Sequence, residues 1–185
     1  MIKNLFNKLF GKEEEIPHYD LIDIKITDLE QGYLLDYDFE TWTVKSMAEY
    51  DWGRQYFSRE FKIVSLNKTR YLHIEEEDED LSIQLYEKIK MKDLGNIVTN
   101  YIKSNQTPPD MFVYKGVEFT FQKEDAGYYR EIPSNETEEV VSFSYEDSSG
   151  AQLCCIEQWD ANDFEAYIGK SLKSFEIDNI LPNPN

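Results

Sequence analysis

The sequence predicts a mainly β protein, its antiparallel strands arranged in two pseudo-repeated halves that form a barrel or sandwich and are joined by one helix. Three features carry this prediction. Glu138 to Lys170 reads as a three-stranded meander, Phe57 to Lys88 repeats the same layout, and the apolar period turns helical only between them. The implied layout is an amphipathic helix and acidic linker over 1–15, a first β half over 16–92, a connecting helix and loop over 93–110, and a second β half with a tail over 111–185.

In chain order, Ile2, Leu5, Phe6, Leu9 and Phe10 form one helical stripe, fringed by Lys3, Lys8 and Lys12. The segment is too short to span a bilayer and is interrupted where a signal peptide would be apolar. Its membrane contact is therefore at most peripheral, through residues 1–12. Docking onto its own acidic domain or into a partner groove is electrostatically easier, because an acidic body is repelled by anionic lipid. Glu13-Glu14-Glu15 and Pro17 read as a linker.

Asp36 to Trp42 predicts a tight hairpin, and Glu49 to Arg54 a second turn around Gly53. In the first meander Phe61 and Ile63 alternate, Asn67-Lys68 turns, Tyr71 to Glu76 returns, and Leu81, Ile83 and Leu85 form the third strand. Leu94, Ile97, Val98, Tyr101 and Ile102 follow helical spacing, with Asp93 as the expected N-cap and Pro108-Pro109 beyond the end. Val117 to Phe121 opens the second half. Its meander has Val141, Phe143 and Tyr145 alternating with serines, a turn at Asp147 to Gly150, a strand over Leu153 to Trp159, and Phe164, Ala166 and Ile168 along the third strand. Ser171 to Ile180 is expected to close the fold as a strand.

The formal charge is -18 and the pI about 4.4, so nucleic-acid phosphates are excluded as a partner. A protein partner or a cationic small molecule fits the charge. Cys154 and Cys155 are neighbours on a strand, pointing to opposite faces and unable to bond each other, which suits a reducing cytoplasm. No cofactor is expected. Neither His18 nor His73 has the spaced ligands a zinc site needs, and Glu75 to Asp80 lacks the spacing of a calcium loop. A catalytic Cys154–His73 pair is imaginable, but an inert cysteine on a strand is the ordinary state. With 37 acidic residues, paired carboxylates can be drawn almost anywhere.

The candidate binding residues are Trp52 and Trp159 with Glu75, Glu76, Glu77 and Asp78, expected to form one patch at the same end of the two meanders. Trp52 has a second reading, as a ring folded over the open end of a barrel. The interior is expected to be aromatic and the carboxylates external.

Asp28 to Val44 (DLEQGYLLDYDFETWTV), Glu49 to Gly53 (EYDWG), Tyr71 to Asp78 (YLHIEEED), Cys155 to Asp160 (CIEQWD) and Glu165 to Lys170 (EAYIGK) resemble a bacterial family, domain of unknown function 4178. The resemblance spans roughly Thr27 to Ile180. It implies an accessory role in envelope stress, beside phage-shock-protein-A-like proteins, or in polyamine-linked physiology, and implies no catalytic residues. The combined expectation is a non-enzymatic cytoplasmic binding or scaffolding module. The alternative is an enzyme or binder acting on a small cationic ligand inside a barrel.

Overall fold

A computed structural model describes residues 24–77 and 80–182. Eleven antiparallel strands form one sheet: β1 (Leu34–Tyr37), β2 (Glu40–Asp51), β3 (Phe57–Ser65), β4 (Lys68–Glu77), β5 (Asp80–Ile89), β6 (Met111–Tyr114), β7 (Val117–Ile132), β8 (Glu138–Asp147), β9 (Leu153–Asp160), β10 (Asp163–Leu172) and β11 (Ile177–Leu181). They lie in the order β11-β1-β2-β3-β4-β5-β10-β9-β8-β7-β6, and β2 also pairs with β7. That last pairing, Met47 to Asp51 against Ile132 to Tyr128, closes β2 to β5 and β7 to β10 into an eight-stranded barrel. The barrel, left open beside a sandwich in the sequence reading, is the architecture.

Both meanders form where the alternation places them, as β3–β4–β5 and β8–β9–β10. Five strands precede the helix and five lead up to β11, but this order does not by itself make the two sets copies of one unit. The β1–β2 turn sits on Asp38 and Phe39, both at positive φ, and Gly150 takes positive φ in the β8–β9 turn. The amphipathic segment at residues 1–12 lies outside the described residues.

Two expected elements are displaced. Helix α1 (Asn96–Asn105) begins after Gly95, whose φ of 96° breaks the chain away from a 3-10 turn at Met91–Leu94. Asp93 falls in that turn and is not the cap. Of the helical stripe, Leu94, Val98 and Ile102 are buried, while Ile97 and Tyr101 are exposed. The segment expected as one closing strand is split: β10 runs on to Leu172, a 3-10 turn intervenes at Ser174–Glu176, and β11 pairs with β1.

The apolar cores lie against the outer face of the barrel wall. Side chains alternate along each strand, so Phe61, Ile63, Leu72, Ile74, Ile83 and Leu85 face outward. They are buried under Leu29, Leu35 and Ile177 of the flanking segments. On the other half, Phe143, Tyr145, Cys154, Ile156 and Ala166 are buried beneath α1 and β6. The inner face is therefore left to the other half of the alternation, and it is polar. Aromatic rings do fill the middle, as expected, but carboxyl groups expected outside stand among them.

Candidate functional site

Each wall strand sends in the partners of its outward apolar residues. On β3 these are Ser58, Glu60 and Lys62; on β4, Tyr71, His73 and Glu75; on β5, Gln84, Tyr86 and Lys88. The opposite wall supplies Cys155, Glu157 and Trp159 from β9, and Glu165 and Tyr167 from β10. Tyr50 from β2 and Tyr129 from β7 complete the ring beside the closing pairs. The lumen has two regions sharing Glu60 and Tyr167 in their walls: an open cavity of about 390 Å³ and a narrow inner one of about 40 Å³.

Two carboxyl groups line the inner region together, and Glu60 faces the open cavity as well. Burial pushes Glu157 up to about 7, opposed by the Tyr50 hydrogen bond and by Lys88 and helped by the charge of Glu165. Tyr50 donates its hydroxyl to Glu157 Oε1 at 3.0 Å. Glu60 is held well above the ordinary carboxylate range, first by burial and then by the charges of Glu157 and Glu165, with Lys88 opposing. Lys88 forms an ion pair with Glu165, whose other oxygen accepts the Tyr167 hydroxyl at 2.7 Å. Burial also raises the phenols of Tyr50, Tyr129 and Tyr167, so they stay neutral donors.

The inner end has the opposite electrostatics. Burial pushes Glu75 up, but the hydrogen bond and charge of His73, the Tyr56 hydroxyl and Lys123 outweigh it and hold Glu75 at about 2. His73 Nε2 lies 3.3 Å from Glu75 Oε1, and Tyr56 donates to Oε2 at 2.8 Å. Among the described residues no group of three histidine, cysteine, aspartate or glutamate side chains is placed to hold a metal ion.

The residues singled out from sequence scatter. Trp52 folds over the inner end, stacked on Tyr50 at 5.1 Å and donating its indole N–H to Ser58 Oγ at 2.9 Å. Glu75 lines the same inner region. Trp159 lines the open cavity instead, with its Nε1 buried and unpartnered. The two tryptophans form no common patch; they end a relay of four rings, Trp52–Tyr50–Tyr129–Trp159, at centroid spacings of 5.1, 5.2 and 5.1 Å. Glu76 is exposed and pairs with Arg59, Glu77 ends β4, and Asp78 lies outside the described residues. Cys154 faces the outer core, while Cys155 faces the lumen and Ser142 Oγ at 3.3 Å. A lumenal thiol near His73 is thus Cys155, not Cys154, and burial first, then Glu157, keeps it protonated.

Sequence reasoning missed Glu60, Glu157, Glu165 and Lys88. Their signal was present: each sits on the polar phase of a strand whose other phase is apolar.

A family model described as "Domain of unknown function (DUF4178)" matches residues 30–174. A protein of Aquifex aeolicus (strain VF5), described as "Uncharacterized protein", is 30% identical over 175 residues, covering 95% of each chain. No solved structure matches.

Proposed function

The chain belongs to the DUF4178 family, a domain of unknown function, so its role must be read from its own lumen, and we propose that it is a binding module for a small organic cation, an amine. One observation carries this reading. The open cavity joins the faces of Tyr50, Tyr71, Tyr129, Tyr167 and Trp159 to five carboxylates, Glu60, Glu131, Glu138, Asp163 and Glu165, against two lysines.

An ammonium group is the ligand for which both kinds of wall are favourable. Aromatic faces attract a cation by about 0.5–2 kcal/mol each, and carboxylates in a partly dry site attract it more strongly than in water. An anion would meet the carboxylates, and a neutral apolar ligand would strand them unpaired. A cavity of about 390 Å³ suits a molecule of a few to a dozen heavy atoms. Of the settings the family resemblance implies, the polyamine-linked one fits this wall; nothing in the lumen speaks for the envelope-stress role. Among the described residues no helix is long and apolar enough to cross a membrane.

Calorimetric titration with 1,4-diaminobutane and spermidine, using 1,4-butanediol as the uncharged control, tests the reading. Saturable binding of an amine with none of the diol is expected. Trp159→Ala and Glu165→Gln should each weaken binding about tenfold, or about 1.4 kcal/mol. Equal heats for diamine and diol, or no saturation by any amine, would refute it.

A protein partner, the other class that fits the charge, has a separate place to dock. Phe39 and Phe175 are 106% and 76% exposed and line a groove of about 540 Å³ with Asp36, Asp38 and Asp178. A partner retained by wild type but lost from Phe39→Ser/Phe175→Ser would support this second reading, and unchanged recovery would remove it.

A further inference from the structure

The lumen holds more negative charge than its own cations neutralise. Among the described residues Glu60 has neither a hydrogen bond nor an ion pair, although it faces both cavities. Glu157 is 6% exposed and its hydrogen-bond donor is the Tyr50 hydroxyl. The lysine that bears on both, Lys88, is committed to Glu165 and lies over the Tyr167 ring, 5.8 Å from its centroid. Glu60 feels the charge of Glu157, and two carboxyl groups so placed in a largely enclosed lumen do not both ionise readily without a compensating cation.

We propose that Glu60 and Glu157 hold a proton when the lumen is empty and exchange it for the charge of an entering ammonium group, so that uptake of the amine and release of a proton to solvent are one event. The inference rests on the amine-binding reading and specifies how that site is regulated.

The surroundings support this exchange. The phenols facing the pair, Tyr50 from β2, Tyr71 from β4, Tyr86 from β5, Tyr129 from β7 and Tyr167 from β10, are all raised by burial and so remain protonated through neutrality. The Cys155 thiol from β9 is raised likewise. His73 from β4 is turned to Glu75. Lys62 from β3, Glu131 from β7, Glu138 from β8 and Asp163 from β10 line the open cavity. Lys123 and Asp125 from β7 line the inner one and pair with each other at 2.9 Å. The carboxyl pair is therefore the group poised to change state near neutrality, Glu157 at about 7. Because the proton competes with the ligand, affinity should rise with pH through that range. The slope approaches tenfold per pH unit where one whole proton is released.

The test uses the intact protein and 1,4-diaminobutane, titrated near pH 7 in phosphate and in Tris, whose ionisation heats differ. The expected result is a buffer-dependent heat corresponding to most of one proton released per amine. Glu60→Gln removes one of the two carboxyl groups that can hold the proton, so it should release much less proton per amine bound, whatever its affinity. His73→Gln should leave the release unchanged. Binding with a buffer-independent heat, or with release lost only in His73→Gln, would overturn the exchange and leave the binding reading standing. Absence of any amine binding would overturn both. Infrared spectra of the ligand-free protein give an independent measurement: a protonated-carboxyl stretch at neutral pH, reduced in Glu157→Gln and on adding amine, is expected, and its absence from wild type would overturn the proposal.

Discussion

At the scale of single residues, Glu157 and Glu75 make opposite demands on the fold. Glu157 binds a proton more tightly folded than unfolded, since burial raises it to about 7. Stability from this group is complete below the unfolded value near 4.5 and is lost as pH rises toward 7. Each pKa unit corresponds to about 1.4 kcal/mol. Melting temperature should therefore fall between pH 5 and pH 8, and Glu157→Gln should flatten that fall; an unchanged slope would show that the carboxyl is already ionised. Glu75 is held down at about 2 by His73, Tyr56 and Lys123 against the effect of burial. Its contribution is present above the unfolded value and is lost as pH falls from 4.5 toward 2. Glu75→Gln should remove that acid-side loss and lower stability at pH 7, read by urea denaturation at pH 7 and pH 3.

At the scale of elements, the lumen depends on how closely β5 and β10 approach. Gly169 pairs with Tyr86, and a Cβ there would lie 2.4 Å from the Tyr86 ring and 2.6 Å from the Leu85 carbonyl. Tyr86 is packed into the inner lumen and the Leu85 backbone is locked in the ladder, so neither can yield cheaply. Gly169→Ala should cost about 1–3 kcal/mol through this overpacking, visible as a lower urea midpoint. A neutral substitution would mean that the ring can swing into the cavity. Barrel closure uses a similar approach, since a Cβ on Gly127 would lie 2.3 Å from the Asp51 carbonyl and 2.9 Å from the Trp52 ring.

Across the whole molecule, charge works against compactness. The chain carries a formal charge of -18, and its ion pairs, such as Arg59–Glu76, Arg70–Glu87 and Arg130–Glu49, are largely solvent-accessible and individually worth little. Raising monovalent salt from about 0.01 M to about 0.15 M shortens the screening length from roughly 30 Å to roughly 8 Å. Self-repulsion should weaken and the melting temperature rise by a few degrees. A fall would mean that attractive pairs outweigh the net charge.

The sequence by itself determined the strands, most of their turns and the connecting helix, because these follow from local period and turn chemistry. Phe61 and Ile63 against Glu60 and Lys62 already state two faces, and Asp147 to Gly150 already states a reversal. It also placed Cys154 and Cys155 on opposite faces. Only the tertiary structure decided which face is the inside. An isolated sheet would bury Phe61 and leave Glu60 in water, and that assumption put the carboxylates on the surface. Pairing of Met47–Asp51 with Tyr128–Ile132, residues far apart in the chain, closes the polar face into a lumen. The flanking strands and α1 then bury the apolar face from outside. The site at Glu60 and Glu157 exists because of that closure, and no local pattern encodes a contact between segments so distant.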